Sequence, residues 1–229
     1  MESLEGFQAA FPDALLEKWQ QLADLMARVM DVPAGLIMRV RGERIEVLVS
    51  SRTADNPYHP GDNEHLWNSG LYCETVIRSR RELEVPDALA DPDWKDNPDV
   101  KLNMISYLGY PIRMPAGEVF GTLCILDSGA RRYSPLQKEL MVQFKELLES
   151  HLALFLANRE LEERVGQLTD LLSEVKTLRG IIPICSYCKK MRTDEGFWDS
   201  VEHYIATRSE AGFTHSICPD CLEKHFPKE

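Results

Sequence analysis

Apolar residues return at three- and four-residue steps between residues 12 and 30, at Leu15, Leu16, Trp19, Leu22, Leu25, Met26 and Val29. That period is one stripe of an amphipathic helix, and Pro12 and Asp13 suit its first turn. The period then changes. "GLIMRV" and "RIEVLVS", rich in β-branched residues and joined by "RGE", predict an antiparallel hairpin. Residues 51–69 contain prolines and few aliphatics, which predicts a loop laid over one face of a sheet. In "LYCETVIRSRRELEVPDALADPDWKDNPDVKLNMISYLGYPIRMPAGEVFGTLCILD" a short helix, a strand, a Pro/Asp-rich stretch, a helical turn and two strands follow in order, with "MPAGE" closing a second hairpin.

Ser134 and Pro135 suit a helix start, and no proline or strong stop interrupts the chain before Gly180. A continuous helix over 135–179 spans roughly 67 Å at 1.5 Å per residue. In its second half Leu154, Leu161, Leu168 and Val175 hold one heptad position, and Asn158, Val165 and Leu172 hold its partner. This is the seam of a coiled coil, and a buried Asn158 favours a parallel two-stranded pairing. A homodimer is therefore expected; the competing reading is an amphipathic helix packed back on its own domain.

The chain has 229 residues, enough for one sizeable core and a smaller module, and its 44% apolar and 28% charged composition is that of a globular protein. A formal net charge of −11 argues against a nucleic-acid partner. No basic segment followed by an apolar stretch opens the chain, and no apolar run approaches the ~20 residues of a membrane span, so no membrane partner and a cytoplasmic location are expected. In a reducing compartment six cysteines are better read as ligands or core residues than as bridges.

Four of them fall into a pattern. "ICSYC" carries Cys185 and Cys188, "ICPDC" carries Cys218 and Cys221, and 29 residues separate the pairs. Two residues between thiols let a tight turn aim both sulfurs at one ion, and two such turns complete a zinc tetrahedron with bonds of about 2.3 Å. A tail of some fifty residues buries little apolar surface, so a structural zinc would supply much of its folding free energy. Lys189, Lys190 and Arg192 are placed to offset the charge of four thiolates or to act as a solvated surface. His215 could replace a cysteine, bond a sulfur from outside, or be an ordinary turn residue. "GFWDSVEHYIATRSE" predicts a helix with Phe197, Val201, Tyr204 and Ile205 on one face. A thioredoxin-like redox pair is the rival for either Cys-x2-Cys, but that motif belongs to a βαβ fold, for which the tail is too small; an iron–sulfur cluster is a second rival.

The successive blocks "LYCETVI", "LEVPDALADPDWKDNPDV", "SYLGYPIR", "GEVFGTLCILD" and "RRYSPLQKELM" resemble those of a GAF domain. The resemblance implies an α+β fold over residues 10–150, with a central antiparallel sheet, helices on one face and a small-molecule pocket on the other. Trp67, Tyr72, Cys73, Trp94 and Tyr107 are the candidate ligand-binding residues, since aromatic groups beside polar loop segments both pack and hydrogen-bond a guest; plain core packing is the alternative for each. The Asn-Lys-x-Asp-Glu pattern of cyclic-nucleotide binders and the Cys-His pair of bilin binders are not found. His59 and His65, in the long loop, read as solvated groups before they read as iron ligands. Cys73 and Cys124 read as buried core thiols, with a free methionine-(R)-sulfoxide reductase chemistry as the alternative.

Residues 151–179 are then a coiled-coil linker and 180–229 a zinc-ribbon-like module, which resembles a C-terminal four-cysteine extension of bacterial signalling proteins that follows GAF, PAS or receiver modules. No catalytic motif is found, and no catalysis is expected. The expected function is a dimeric signal-sensing adaptor with an unknown signalling partner; a thiol enzyme or a redox- or zinc-responsive switch are the alternatives.

Overall fold

The structure, a computed structural model, describes residues 11–179, 182–193, 195–209 and 211–226, with no side chains for 173–179. The chain divides into two compact units, Met1–Glu160 and Leu161–Glu229.

The first unit begins with α1 (Asp13–Met30), whose Trp19, Leu22, Ala23, Met26, Ala27 and Met30 are buried. Trp19, Leu22 and Met26 belong to the stripe read from the sequence, whereas its Leu25 and Val29 are exposed and Ala23, Ala27 and Met30 complete the buried face instead; Asp13 and Arg28 place opposite charges at the favourable ends of the helix dipole. The helix stops where Asp31 turns left-handed and its N–H closes on the Ala27 and Arg28 carbonyls. Strands β1 (Ala34–Arg41) and β2 (Arg44–Ser50) form the expected hairpin, and β3 (Asn63–His65) adds a three-residue edge inside the stretch expected to be loop. Then come α2 (Tyr72–Ser79), β4 (Leu83–Val85), a 3-10 turn (Pro98–Leu102), and the hairpin β5 (Ser106–Arg113) and β6 (Val119–Asp127).

The six strands pair antiparallel in the order β3-β2-β1-β6-β5-β4. The first and last strands of the main run thus meet in the middle, and both faces of β6 are covered. One face is closed by α1 and by the first half of α3 (Pro135–Arg179), through Trp19, Met26, Ile37, Leu123, Ile125, Met141, Leu148 and Leu152. Trp19 Nε1 donates to His151 Nδ1 at 3.2 Å and ties the two helices together. The opposite face carries Leu36, Met38, Val47, Leu66, Tyr72, Val76, Tyr107, Cys124 and Leu126. Two apolar faces on one sheet explain the alternation along each strand, because neighbouring residues enter different cores.

Gly121 in β6 is fixed by close approach. A Cβ there would stand 1.9 Å from the Met38 carbonyl oxygen of β1, so any side chain forces the strands apart.

In α3, Leu147, Leu154, Leu161 and Leu168 are exposed at seven-residue steps, as are Asn158, Val165 and Leu172 on the partner position. The Val175 side chain and the helix stop at Gly180 lie outside the described residues.

The second unit contains a small hairpin, β7 (Met191–Arg192) with β8 (Trp198–Asp199), then α4 (Val201–Ala206) and α5 (Pro219–His225). The helix expected over 196–210 is therefore shorter. Phe197 and Trp198 follow a turn closed by Gly196 N–H on the Thr193 carbonyl, Trp198 pairs with Arg192, and Ser200 caps the helix only afterwards by accepting from the His203 N–H at 3.2 Å. Cap and turn chemistry overrode an apolar period that strand and helix share here. Among the described residues of this unit Met191 is buried, whereas Tyr187, Phe197 and Phe226 are exposed.

Candidate functional site

On the sheet face opposite α1, four of the five residues expected to bind a ligand come together. Tyr72 and Tyr107 stack with centroids 4.7 Å apart, and Trp94 lies 5.2 Å from Tyr72. Cys73 Sγ lies 3.5 Å from the Tyr107 hydroxyl. Trp67 stands apart, partly exposed, with the Arg78 guanidinium 5.9 Å over its ring.

The local geometry follows from the chain. Tyr107 can lie along β5 because the next residue on that face is Gly109, where a Cβ would meet the Tyr107 hydroxyl at 2.1 Å. Tyr72 and Cys73 point at the sheet because α2 is docked by its Val76 and Ile77. Its N-terminus is held by Glu74. That carboxylate accepts the backbone N–H groups of Asn68, Ser69 and Gly70 and the Ser69 hydroxyl, at 2.8 to 3.1 Å, and pairs with Arg78. Burial acts to raise its pKa, but these donors outweigh burial and hold it below the usual carboxylate range.

Two polar residues of this face were not singled out in the sequence. Tyr58, from the β2–β3 loop, donates its hydroxyl to Asp99 Oδ1 at 2.7 Å. Asp99 is itself buried in the 3-10 turn, which Asn97 caps by accepting the Asp99 N–H at 2.8 Å while donating to the Gly70 carbonyl. Burial raises the Asp99 carboxyl to about 6, with the Tyr58 hydrogen bond opposing it. Burial first, and then the neighbouring Asp99 carboxyl, also raises the Tyr58 phenol. Asp99 stands in a run of acidic residues that patterning cannot tell apart; the one usable signal was Asn97-Pro98, a helix start that turns the next residue inward. The ensemble brings aromatic faces, a buried carboxyl and hydroxyls together on one face of the sheet.

His59 and His65 are exposed on the rim beside Asp62 and Glu43, at 3.7 Å in each case.

In the tail, Cys185 and Cys188 sit on a turn in which Lys189 N–H returns to the Cys185 carbonyl, Cys185 N–H donates to the Lys190 carbonyl, and Lys189 is left-handed with φ 60°. The backbone N–H groups of Cys188, Tyr187 and Lys189 point at the Cys185 sulfur and lower its pKa. Cys218 stands at the N-cap of α5, and N–H groups of Cys221 and Asp220 do the same for its sulfur. Among the described residues no three His, Cys, Asp or Glu side chains gather into one metal-holding group, and His215 is exposed.

A six-stranded antiparallel sheet with this helical cover and this opposite, aromatic face defines a GAF-type α+β module. The GAF domain family matches residues 14–152, more than half of the chain, and the chain belongs to that family. It is 26% identical over 136 residues to diguanylate cyclase DgcP of Escherichia coli (strain K12), covering 58% of this chain and 38% of the cyclase, so it spans well under half of that relative's length. Among solved structures it is similar to the PixJ GAF domain of Thermosynechococcus elongatus in its blue-light-absorbing form (TM-score 0.51, 14% identity, 70% of this chain and 98% of that one). It is also similar to the GAF domain of an Acinetobacter phosphoenolpyruvate-protein phosphotransferase (0.50, 16%, 64% and 86%) and to residues 122 to 287 of a methyl-accepting chemotaxis protein (0.50, 19%, 59% and 87%). At these identities the structural likenesses establish the fold. No helix among the described residues is long and apolar enough to cross a membrane.

Proposed function

We propose that the chain is a dimeric, non-catalytic, signal-sensing adaptor. The cluster of Tyr58, Tyr72, Trp94, Asp99 and Tyr107 receives a small molecule, α3 pairs two copies of the chain, and the tail contacts a signalling partner. The observation that carries this reading is the row Leu147, Leu154, Leu161 and Leu168, left 44%, 63%, 60% and 60% exposed at one heptad position. Such a row buries its apolar area against a twin, and Asn158 on the adjoining position selects a parallel pair because its amide is satisfied by its counterpart across the axis.

Cys185, Cys188, Cys218 and Cys221 would hold one zinc ion in the tail, where the metal supplies folding free energy to a unit with so little buried apolar surface. The N–H groups already aimed at Cys185 and Cys218 favour their thiolates, and the cations Lys189, Lys190 and Arg192 moderate the charge. Fixing both turns would organise the exposed aromatics Tyr187, Phe197 and Phe226 as a contact surface.

Native mass spectrometry of the full chain tests the whole reading in one measurement. The expected species is a dimer carrying two zinc ions, with any retained small molecule visible as added mass. A zinc-free monomer overturns it.

A further inference from the structure

Two thiols outside the tail meet at the centre of the GAF module. Cys73 lies in the first turn of α2 and Cys124 in the middle of β6, with relative exposures of 9% and 0%. Three placements bring them together. Cys124 is in register with Gly109 of β5, over which the Tyr107 ring lies, and the Tyr107 hydroxyl is 3.5 Å from Cys73 Sγ. Thr122, two residues before Cys124 on the same face of β6, donates its hydroxyl to Cys73 Sγ at 3.3 Å. The Cys73 sulfur therefore sits over the face of β6 that carries Thr122 and Cys124.

We propose that Cys73 and Cys124 are a redox-active pair that a small peroxide converts to an internal disulfide joining α2 to β6. The roles are unequal. Cys73 is the more exposed residue of the two, and the neighbouring Cys124, then Thr122 and Tyr107, favour its thiolate against the opposing effect of burial. Burial, and then Cys73 itself, keep Cys124 protonated. In the first step the Cys73 thiolate attacks one peroxide oxygen, the O–O bond breaks, and hydroxide leaves and takes a proton to become water, leaving Cys73 as a sulfenic acid. In the second step the Cys124 sulfur attacks the Cys73 sulfur, the S–O bond breaks, and the hydroxyl leaves as water with the Cys124 proton. Two electrons pass from the sulfurs to the peroxide, and the products are one disulfide and two waters.

The oxidant named is a small neutral one because Cys73 is a buried residue packed against the sheet, where a bulky thiol would not reach its sulfur. The bond also reaches the aromatic cluster. Pulling the sulfurs to about 2.05 Å draws α2 toward the sheet. It also leaves the Tyr107 hydroxyl with a weaker acceptor, beside the ring that stacks on Tyr72. This inference stands whether or not the cluster binds a ligand.

The test is peptide mapping of the full-length, zinc-supplemented protein after limiting hydrogen peroxide, with free thiols alkylated under denaturing conditions. The expected result is a peptide cross-linked through Cys73 and Cys124, reversed by dithiothreitol. Under the same treatment, Cys73→Ser is expected to lose the cross-link, and Cys124→Ser to give a Cys73 adduct with a sulfenic-acid trap. The idea is overturned if wild-type Cys73 and Cys124 are both recovered alkylated at peroxide doses that oxidise the tail cysteines, or if Cys73 advances to sulfinic acid without a cross-link. Both of those outcomes are read on the wild-type chain and do not depend on how a variant folds.

Discussion

Replacing Asp99 by asparagine isolates the electrostatic cost of the buried carboxyl. The amide keeps the shape, and its oxygen still accepts from the Tyr58 hydroxyl, which is 2.7 Å from Asp99 Oδ1. Burial raises the folded-state carboxyl from 3.8 to about 6, so the folded chain holds this proton to higher pH than the unfolded chain does. The stabilising share of the group is then fully present below 3.8 and lost as pH rises through about 6. At roughly 1.36 kcal/mol per pKa unit, the ionised form costs the fold about 3 kcal/mol at neutral pH. Any fixed penalty for burying an amide does not vary with pH and cancels when conditions are compared. Urea unfolding of wild type and Asp99→Asn at pH 4, 5, 6 and 7 reads the difference through the tryptophans, three of which, Trp19, Trp67 and Trp94, belong to the GAF module. Relative to wild type, the variant is expected to gain roughly 2–3 kcal/mol between pH 4 and pH 7. Two stability curves that run parallel over that range would refute the reasoning.

Gly121→Ala is expected to destabilise the GAF module by about 3 kcal/mol, because its methyl meets the Met38 carbonyl oxygen in a neighbouring strand. Gly166→Ala in α3, with nothing near the added carbon, should be neutral or stabilising by about 0.5–1 kcal/mol; equal melting temperatures for the two variants would contradict the packing argument. Leu161→Asp combined with Leu168→Asp should convert dimer to monomer in light scattering while the near-ultraviolet dichroism of the GAF module persists, and a dimer surviving both changes removes the seam from consideration. Cys188→Ser or Cys221→Ser should lower zinc from about one ion per chain to a small fraction in elemental analysis and make the tail protease-sensitive; undiminished zinc would show that these sulfurs are not ligands.

The fold was legible wherever a run of residues had one environment. The helical period between Leu15 and Val29 became α1, although its Leu25 and Val29 face outward, and the β-branched runs became the β1–β2 and β5–β6 hairpins. Strand β3 was hidden because Asn63, Glu64 and His65 are all exposed; backbone pairing to β2 makes it a strand, and no side-chain alternation records that. The helix over 196–210 was read too long because Phe197 and Trp198 suit a hairpin as well as an apolar helix face. At the site, aromatic residues near loops pointed to Tyr72, Trp94 and Tyr107, but the partnership of Tyr58 with Asp99, 41 residues away, exists only through the sheet. The placement of Cys73 over the strand that carries Thr122 and Cys124 was equally invisible, because it depends on which strand lies beneath α2.

Glu74 limits where the GAF module can let anything in. Lifting the 68–70 turn off α2 would strand a carboxylate deprived of its three amide donors and the Ser69 hydroxyl, and each hydrogen bond to a charged group is worth roughly 1.5–3 kcal/mol. That corner is bolted shut. The stretch on the other side of the aromatic cluster, residues 86–97, is tethered by ordinary neutral contacts such as Ala88 N–H to the Ile105 carbonyl and Asn97 Nδ2 to the Gly70 carbonyl. Residues 86–97 are thus the wall of the cluster whose displacement strands no charge.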